Sequence, residues 1–536
     1  MKTPSRPKTT MNAGRILATI SMCSAVLCVL QPAISAATSQ NFGVAINDGA
    51  TPGYTLFAPF RGTSAYLIDN EGHVVKEWKV PEGYSSGGAS QISPRGTLVR
   101  SLETQSPFPP GNGLGGLIRE VDWDNNILWD YPMNTLQGTN HHALTLTGDD
   151  QRNVMVTAYE QISKEECQAA GLPADYICPD SGLRLETLVE IAPDYVQKTG
   201  KIVWKWRLFD HLLKDQQVAS EHSELWDIRK GEPNFNHIDY RHDWQQILIS
   251  CNYCNEVFVI ERSTTKQAAR HKGGRYEKGG DFLYRWGNPA NYDRGTAADQ
   301  KLNFQHGARW RKWADEYGHQ IGPEAAARGE LAQAGIDNIL VFNNRIIAGP
   351  PARSWVTEIK PPQPQPLPNG HFPTDYAGEY RYLQAGVAYG PDTQTDISGC
   401  LTPIPECSGF YSYILSNPQP LPNGHLLIAS TAGVAFGTPE IINDPLNVAR
   451  VIELDRDGYV VWKFVNPIVA VNPGNKAGGG KLPNACLEAN ATQMPKGATN
   501  WMFRATRYAD NFVGFEGKDL TPGPLATDYC PRPAAK

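Results

Sequence analysis

Of the 12 histidines in the chain, three occupy matching places in a polar turn that leads into a strand. His142 precedes Leu146 by four in HHALTLTG, His306 precedes Trp310 by four in QHGARW, and His237 opens HIDYRHDWQQILIS. The same offset from Leu421 falls on Asn417. A neutral imidazole near pH 7 is a nucleophile, a proton carrier and a metal ligand, so three of them gathered with an amide would form a reactive site. His141 is a second candidate for the first position. His73, His211, His222, His271, His319, His371 and His425 lack the shared register and read as exposed or structural, and His242 is ambiguous.

Residues so far apart in sequence meet only if like units of chain are arranged around a common centre, and the sequence contains such units. Six times an alternating strand, a turn rich in Asp, Gly or Asn, and a second strand ending in an aromatic residue recur. The clearest copies are AYLIDNEGHVVKEW at Trp78, LIREVDWDNNILWDY at Trp129 and VIELDRDGYVVWKF at Trp462. Looser copies end at Trp204 and Trp206, at Trp286, and at Tyr382 after WVTEIKPP. Upstream of most lies a polar turn and a wholly apolar run, as in SPRGTLV, RHDWQQILIS, DNILVFNN and LPNGHLLIAS.

A strand buried on both faces followed by a half-polar hairpin is what a propeller blade requires. The reading is an all-β, six-bladed β-propeller of about 77 residues per unit, long enough that insertions must decorate one face. Those insertions are 163–182, 262–280, 324–333 and 361–369. Strand entries from different blades converge on the propeller axis, which places the candidate residues in one pocket. The late strand NWMFRATRY is expected to pair beside GYTLFAPF, with the tail 474–536 closing the ring. Two stacked sandwiches are the alternative, but no linker divides residues 37–536, which read as one domain.

The balance of 49 Lys+Arg against 55 Asp+Glu gives a net charge of −6 and no basic surplus for nucleic acid. Residues 1–36 read as a cleavable signal peptide: Lys2, Arg6, Lys8 and Arg15 precede an apolar run from Ile16 to Leu30, then small residues at Ala33, Ser35 and Ala36. The mature protein is expected to be periplasmic or secreted and not held in a membrane. Its eight cysteines suit an oxidising compartment, and spacing suggests the pairs Cys167–Cys178, Cys251–Cys254, Cys400–Cys407 and Cys486–Cys530. The Cys251-Asn-Tyr-Cys254 segment also matches a redox or metal motif, but its place between two strand-like runs favours a hairpin staple. GNKAGGGKL has the wrong spacing for a phosphate loop, and Leu482 stands where a Ser or Thr would hold magnesium.

The ordered set GYTLFAPF, AYLIDNEGHVVKEW, NHIDYRHDWQQILIS, YRWGNP, QHGARW, LPNGHLLIAS, VIELDRDGYVVWKFVNP and FRATRY resembles the bacterial arylsulfotransferase family over almost the whole mature chain. The resemblance implies an exported six-bladed propeller that moves a sulfuryl group from a phenolic sulfate ester to a phenol, without phosphoadenosine phosphosulfate or another cofactor. It implies small aromatic sulfate esters and phenols as partners, and a homodimer. It also implies axial histidines, one of them transiently sulfated, matched here by His237 and His306, and an arginine matched by Arg353 in ARSWVTEI. On residue type alone Arg353 would be a solvated strand end.

The match is incomplete. After His371 the only histidine is His425, in a turn expected to face away from the axis, so Asn417 or Ser416 stands where a late-blade histidine belongs. His142 would then substitute from another blade. Two other readings remain: a metal site built from His142, His237 and His306, and a non-catalytic propeller that binds an aromatic or glycan ligand.

Overall fold

The computed structural model describes residues 42–108, 115–265, 271–320, 335–347, 353–361, 379–383, 412–430, 448–456, 458–471, 484–487 and 498–529. All belong to the compact unit Gln40–Lys536. The expected signal peptide and the Cys400–Cys407 and Cys486–Cys530 pairings lie outside what is described.

Six antiparallel sheets form the blades of the expected propeller, and a small three-stranded sheet of Ile468–Val471, Asn484–Cys486 and Ala498–Thr499 accompanies them. The first blade is built from both ends of the chain. Met502–Ala509 is its innermost strand, paired with Gly53–Pro59, which is followed by Ser64–Ile68 and Val74–Lys79. The last blade, from Asn417–Pro420 outward to Val460–Val465, receives Gly43–Asn47 as its outermost strand. The ring is therefore closed twice, and the pairing expected between NWMFRATRY and GYTLFAPF is present in the register Gly53 with Ala509. Innermost strands of the other blades are Ser85–Ile92, Gly138–Thr147, Phe235–Arg241 and His306–Trp310, each touching the next around the axis.

A hydrophobic cluster fills each of the six gaps between neighbouring blades. The hairpin tryptophans Trp78, Trp129, Trp204, Trp286 and Trp462 are wholly buried. Three of them also tie their blade to the next one through the indole N–H: Trp78 donates to Asp122 O, Trp204 to Thr264 Oγ1 and Trp462 to Asn70 O. A buried indole needs such an acceptor, and here it also sets the blade spacing. Cys167–Cys178 and Cys251–Cys254 form the expected disulfides, the second a hairpin staple, as an oxidising compartment permits. Among the described residues no helix is long and apolar enough to cross a membrane.

One expectation is displaced by a strand. The wholly apolar runs such as Gln246–Cys251 and Leu426–Ser430 are the second strands of their blades, and the histidines lie on the innermost strands themselves. Apolar residues fill the second strand because both its faces pack on neighbouring blades, whereas the innermost strand presents its free edge to the axis.

Candidate active site at the propeller axis

Each candidate histidine sits where its innermost strand falls out of register with the second: between His141 and Leu144, between Phe235 and His237, and between His306 and Arg309. A bulge inserts an unpaired residue, bends the strand and re-aims its side chain. His142 carries the strain openly, with φ at 41°, a conformation that a non-glycine residue rarely adopts. The second blade makes room for it at Gly88, where a Cβ would lie 2.2 Å from the His142 carbonyl oxygen. Gly88→Ala is therefore expected to cost about 1–3 kcal/mol in urea unfolding, since backbone and not a pliant side chain blocks the added methyl.

The three imidazoles have different surroundings. His306 directs Nδ1 at Asn344 Oδ1, 2.8 Å away, and at the Phe304 carbonyl, 3.0 Å away. The Asn344 amide is held in that orientation because its Nδ2 donates to Ser412 O and Leu415 O. Both neighbours of Nδ1 accept, so Nδ1 carries the proton and the lone pair is on Nε2. His237 is 2% exposed, and neither of its ring nitrogens meets a hydrogen-bond partner. Burial, then the charges of Arg504, Arg309, Lys312 and His306, hold its basicity well below the usual imidazole range.

His142 stands at the end of a chain of hydrogen bonds. Its Nδ1 lies 2.8 Å from Nδ1 of His141, whose Nε2 lies 3.0 Å from Glu186 Oε2. His141 stacks on Tyr159 with ring centroids 3.8 Å apart, behind His142 and not beside it on the axis. Burial and then Arg184 pull His141 down to about 3, and burial pushes the Glu186 carboxyl well up despite the Phe235 N–H it accepts. Burial thus favours the protonated form of Glu186, which is joined to His142 through a neutral His141. Burial, then His141, His306 and Arg504, also depress His142. His306 and Arg504 each act electrostatically on both His142 and His237.

Arg504, on the ring-closing strand, was read in the sequence only as part of FRATRY. Its half-buried guanidinium donates to Asn236 O at 3.2 Å and lies 4.9 Å from the Phe503 ring, which in turn lies 5.7 Å from His142. Among the described residues no carboxylate pairs with it. Burial, then the nearby Arg309, lower its affinity for its proton, yet a guanidinium stays charged at neutral pH. Its neighbour Arg507 differs: it donates to Thr55 Oγ1 and Thr51 O and faces Glu453. Alternation along the strand, which separates positions 504 and 507 onto opposite faces, was the available signal.

Asn417 is not a free amide. Its Nδ2 donates to Ala505 O and its Oδ1 accepts from Ala505 N, tying the sixth blade to the first. Gln419 makes the same kind of tie at that junction with Arg507, and Asn236 Nδ2 donates to Gln305 O between the fourth and fifth blades. Arg353 opens a strand of the fifth blade opposite Ile347; its side chain lies outside the described residues, as does His371. His425 holds Glu453 Oε1 at 2.8 Å, and that carboxylate also accepts from Thr51, so this histidine serves a turn.

Below the imidazoles the axis is filled with charge. Lys312 donates to Asp239, to Tyr240 O and to Glu316, while Arg309 donates to Tyr317 Oη. Asp239, Arg309, Lys312, Asp315, Glu316 and Tyr317 are among the residues that line a small cavity there. The segment then reaches the first blade, where Ala509 N donates to Tyr317 O. Arg309 and Lys312 are thus matched there by the carboxylates of Asp239, Asp315 and Glu316. Among the described residues, the histidine-containing group whose donor atoms gather at metal-binding separations is His211, His271 and Asp281, not the axial trio.

No protein-family model matches the chain, and no curated protein does. Among solved structures it is similar to a protein of unknown function from Bacteroides caccae, at 12% identity over 77% of this chain and 94% of that one, TM-score 0.39. A periplasmic gluconolactonase from Pseudomonas aeruginosa shows 11% identity over 85% and 96%, TM-score 0.35. A putative 6-phosphogluconolactonase from Bacteroides fragilis shows 10% over 85% and 98%, TM-score 0.34. Likenesses this distant say nothing about the chemistry at the axis.

Proposed function

We propose that the protein is an exported transferase, periplasmic or secreted, that moves a sulfuryl group from a phenolic sulfate ester to a second phenol by way of His306. The observation that carries this reading is Arg504, a half-buried guanidinium without a carboxylate partner among the described residues, beside imidazoles held neutral by burial. A sulfate ester spreads one negative charge over three oxygens, and a guanidinium fork meets such a group at two of them. His237, buried with both nitrogens unpartnered, offers a further contact to the same oxygens. Arg353, implied by the family resemblance, is a second candidate clamp.

In the first half-reaction the Nε2 lone pair of His306 attacks sulfur, the bond from sulfur to the aryl oxygen breaks, and its electron pair leaves on the phenolate. The Glu186 proton reaches that oxygen through His141 and His142, each ring passing one proton on as it receives another. The Asn344 and Phe304 oxygens stabilise the charged imidazole through its Nδ1–H. In the second half the acceptor phenol returns a proton along the same path, its oxygen attacks sulfur, and the pair of the sulfur–nitrogen bond returns to Nε2. No external cofactor enters the balance.

Purified protein with p-nitrophenyl sulfate is expected to release p-nitrophenol at a rate that depends on added phenol. Folded protein that releases none with several acceptors would defeat the reading. Glu186→Gln keeps an acceptor for Phe235 N–H and a donor for His141 but has no proton to give up. It is expected to slow phenyl sulfate by about 10²-fold, and p-nitrophenyl sulfate much less, because the better leaving group needs little protonation.

A further inference from the structure

A second cluster lies on the outside of the ring and plays no part in the axial chemistry. His211 ends the 3₁₀ turn Leu208–His211 that leaves the third blade, while His271 belongs to the insertion 262–280 of the fourth and Asp281 directly follows it. Asp281 Oδ1 lies 2.7 Å from His211 Nδ1 and 2.8 Å from His271 Nδ1, and Oδ2 lies 2.9 Å from His271 Nδ1. One nitrogen or oxygen from each residue falls within 4.8 Å of the others.

The cluster is built and not incidental. His211 and Asp281 are buried while His271 is exposed, so the three donors converge at an opening to solvent. His211 is held flat on Trp206, with centroids 5.0 Å apart and planes 11° apart, and the Trp206 indole donates to Gly280 O at 2.8 Å. Gly280, at φ +95°, lets the chain pass these rings: a Cβ there would lie 3.0 Å from Trp206 and 3.2 Å from His211.

We propose that His211, His271 and Asp281 form a binding site for a divalent transition metal, with Zn²⁺ the natural occupant. Two imidazole nitrogens and one carboxylate oxygen are borderline ligands that suit Zn²⁺ and poorly suit Mg²⁺ or Ca²⁺, which prefer all-oxygen shells. On binding, each imidazole turns an Nδ1 lone pair to the ion and carries its proton on Nε2; solvent completes the shell at the open side. The ion bridges the exit of the third blade to the insertion of the fourth, as the nearby disulfide Cys167–Cys178 closes a loop by covalent means. The site is independent of the sulfuryl-transfer reading.

The test uses the mature, disulfide-intact protein stripped with a chelator and titrated with ZnCl₂ by calorimetry, and with Co²⁺ by visible absorption. Wild type is expected to take up one equivalent, to gain thermal stability with Zn²⁺, and to show Co²⁺ d–d bands. His271→Ala removes an exposed loop side chain and leaves the fold intact; it is expected to bind at least ten-fold more weakly and to lose the bands. Asp281→Asn should behave alike. Absence of a stoichiometric equivalent in wild type, or an equivalent that survives His271→Ala at unchanged affinity, overturns the proposal.

Discussion

His306→Ala is expected to lower turnover of p-nitrophenyl sulfate by about 10⁴-fold or more, the scale on which a covalent nucleophile is missed. The variant leaves Asn344 Oδ1 without its imidazole donor, at a cost of about 1–3 kcal/mol for a buried acceptor. Stability should therefore fall slightly while activity collapses, and thermal unfolding separates the two. A covalent readout is more direct. Wild type incubated with donor and no acceptor should gain the mass of one sulfuryl group on the peptide that contains residue 306, and His306→Ala should gain none. If the label instead maps to the peptide containing His237, the roles are exchanged. Activity within ten-fold of wild type in His306→Ala would remove the covalent route altogether.

The second large effect is at Arg504. Arg504→Ala should reduce kcat/KM by about 10²–10³-fold, because a positioned guanidinium stabilises the charge that develops on the sulfuryl oxygens. Arg504→Lys keeps the charge but loses the fork, so only part of the activity should return. Thermal unfolding separates this from a purely structural role, because Arg504→Lys still offers an N–H donor to Asn236 O and would then restore stability and activity together. The comparison with Arg353→Ala decides which cation holds the sulfuryl oxygens. A silent Arg504→Ala beside a crippled Arg353→Ala would assign the clamp to the fifth blade.

How far these sites could be read from residues alone depends on the range of the interactions that define them. Alternation, turn chemistry and the hairpin tryptophans are local, and each of the six units was visible because a half-buried hairpin must show its pattern in consecutive residues. The two described disulfides close short loops and were equally legible. The shared offset singled out His142, His237 and His306 because the same bulged innermost strand recurs from blade to blade.

Other features depend on partners distant in sequence. Apolar runs report burial but not radial order, so the axial strand was assigned one position too far out. Asn417 resembled a site residue until its amide met Ala505, 88 residues on, across a blade junction. The rise of the Glu186 carboxyl comes from burial, and its link to the axial strand runs through His141, 45 residues earlier. Arg504 has no carboxylate in ion-pair contact among the described residues, which no string of residues displays. Composition and period settle what kind of unit the chain repeats, because those forces act between neighbours. Which polar groups are left unpaired at the centre emerges only when the ring closes, because desolvation and charge balance are sums over every blade at once.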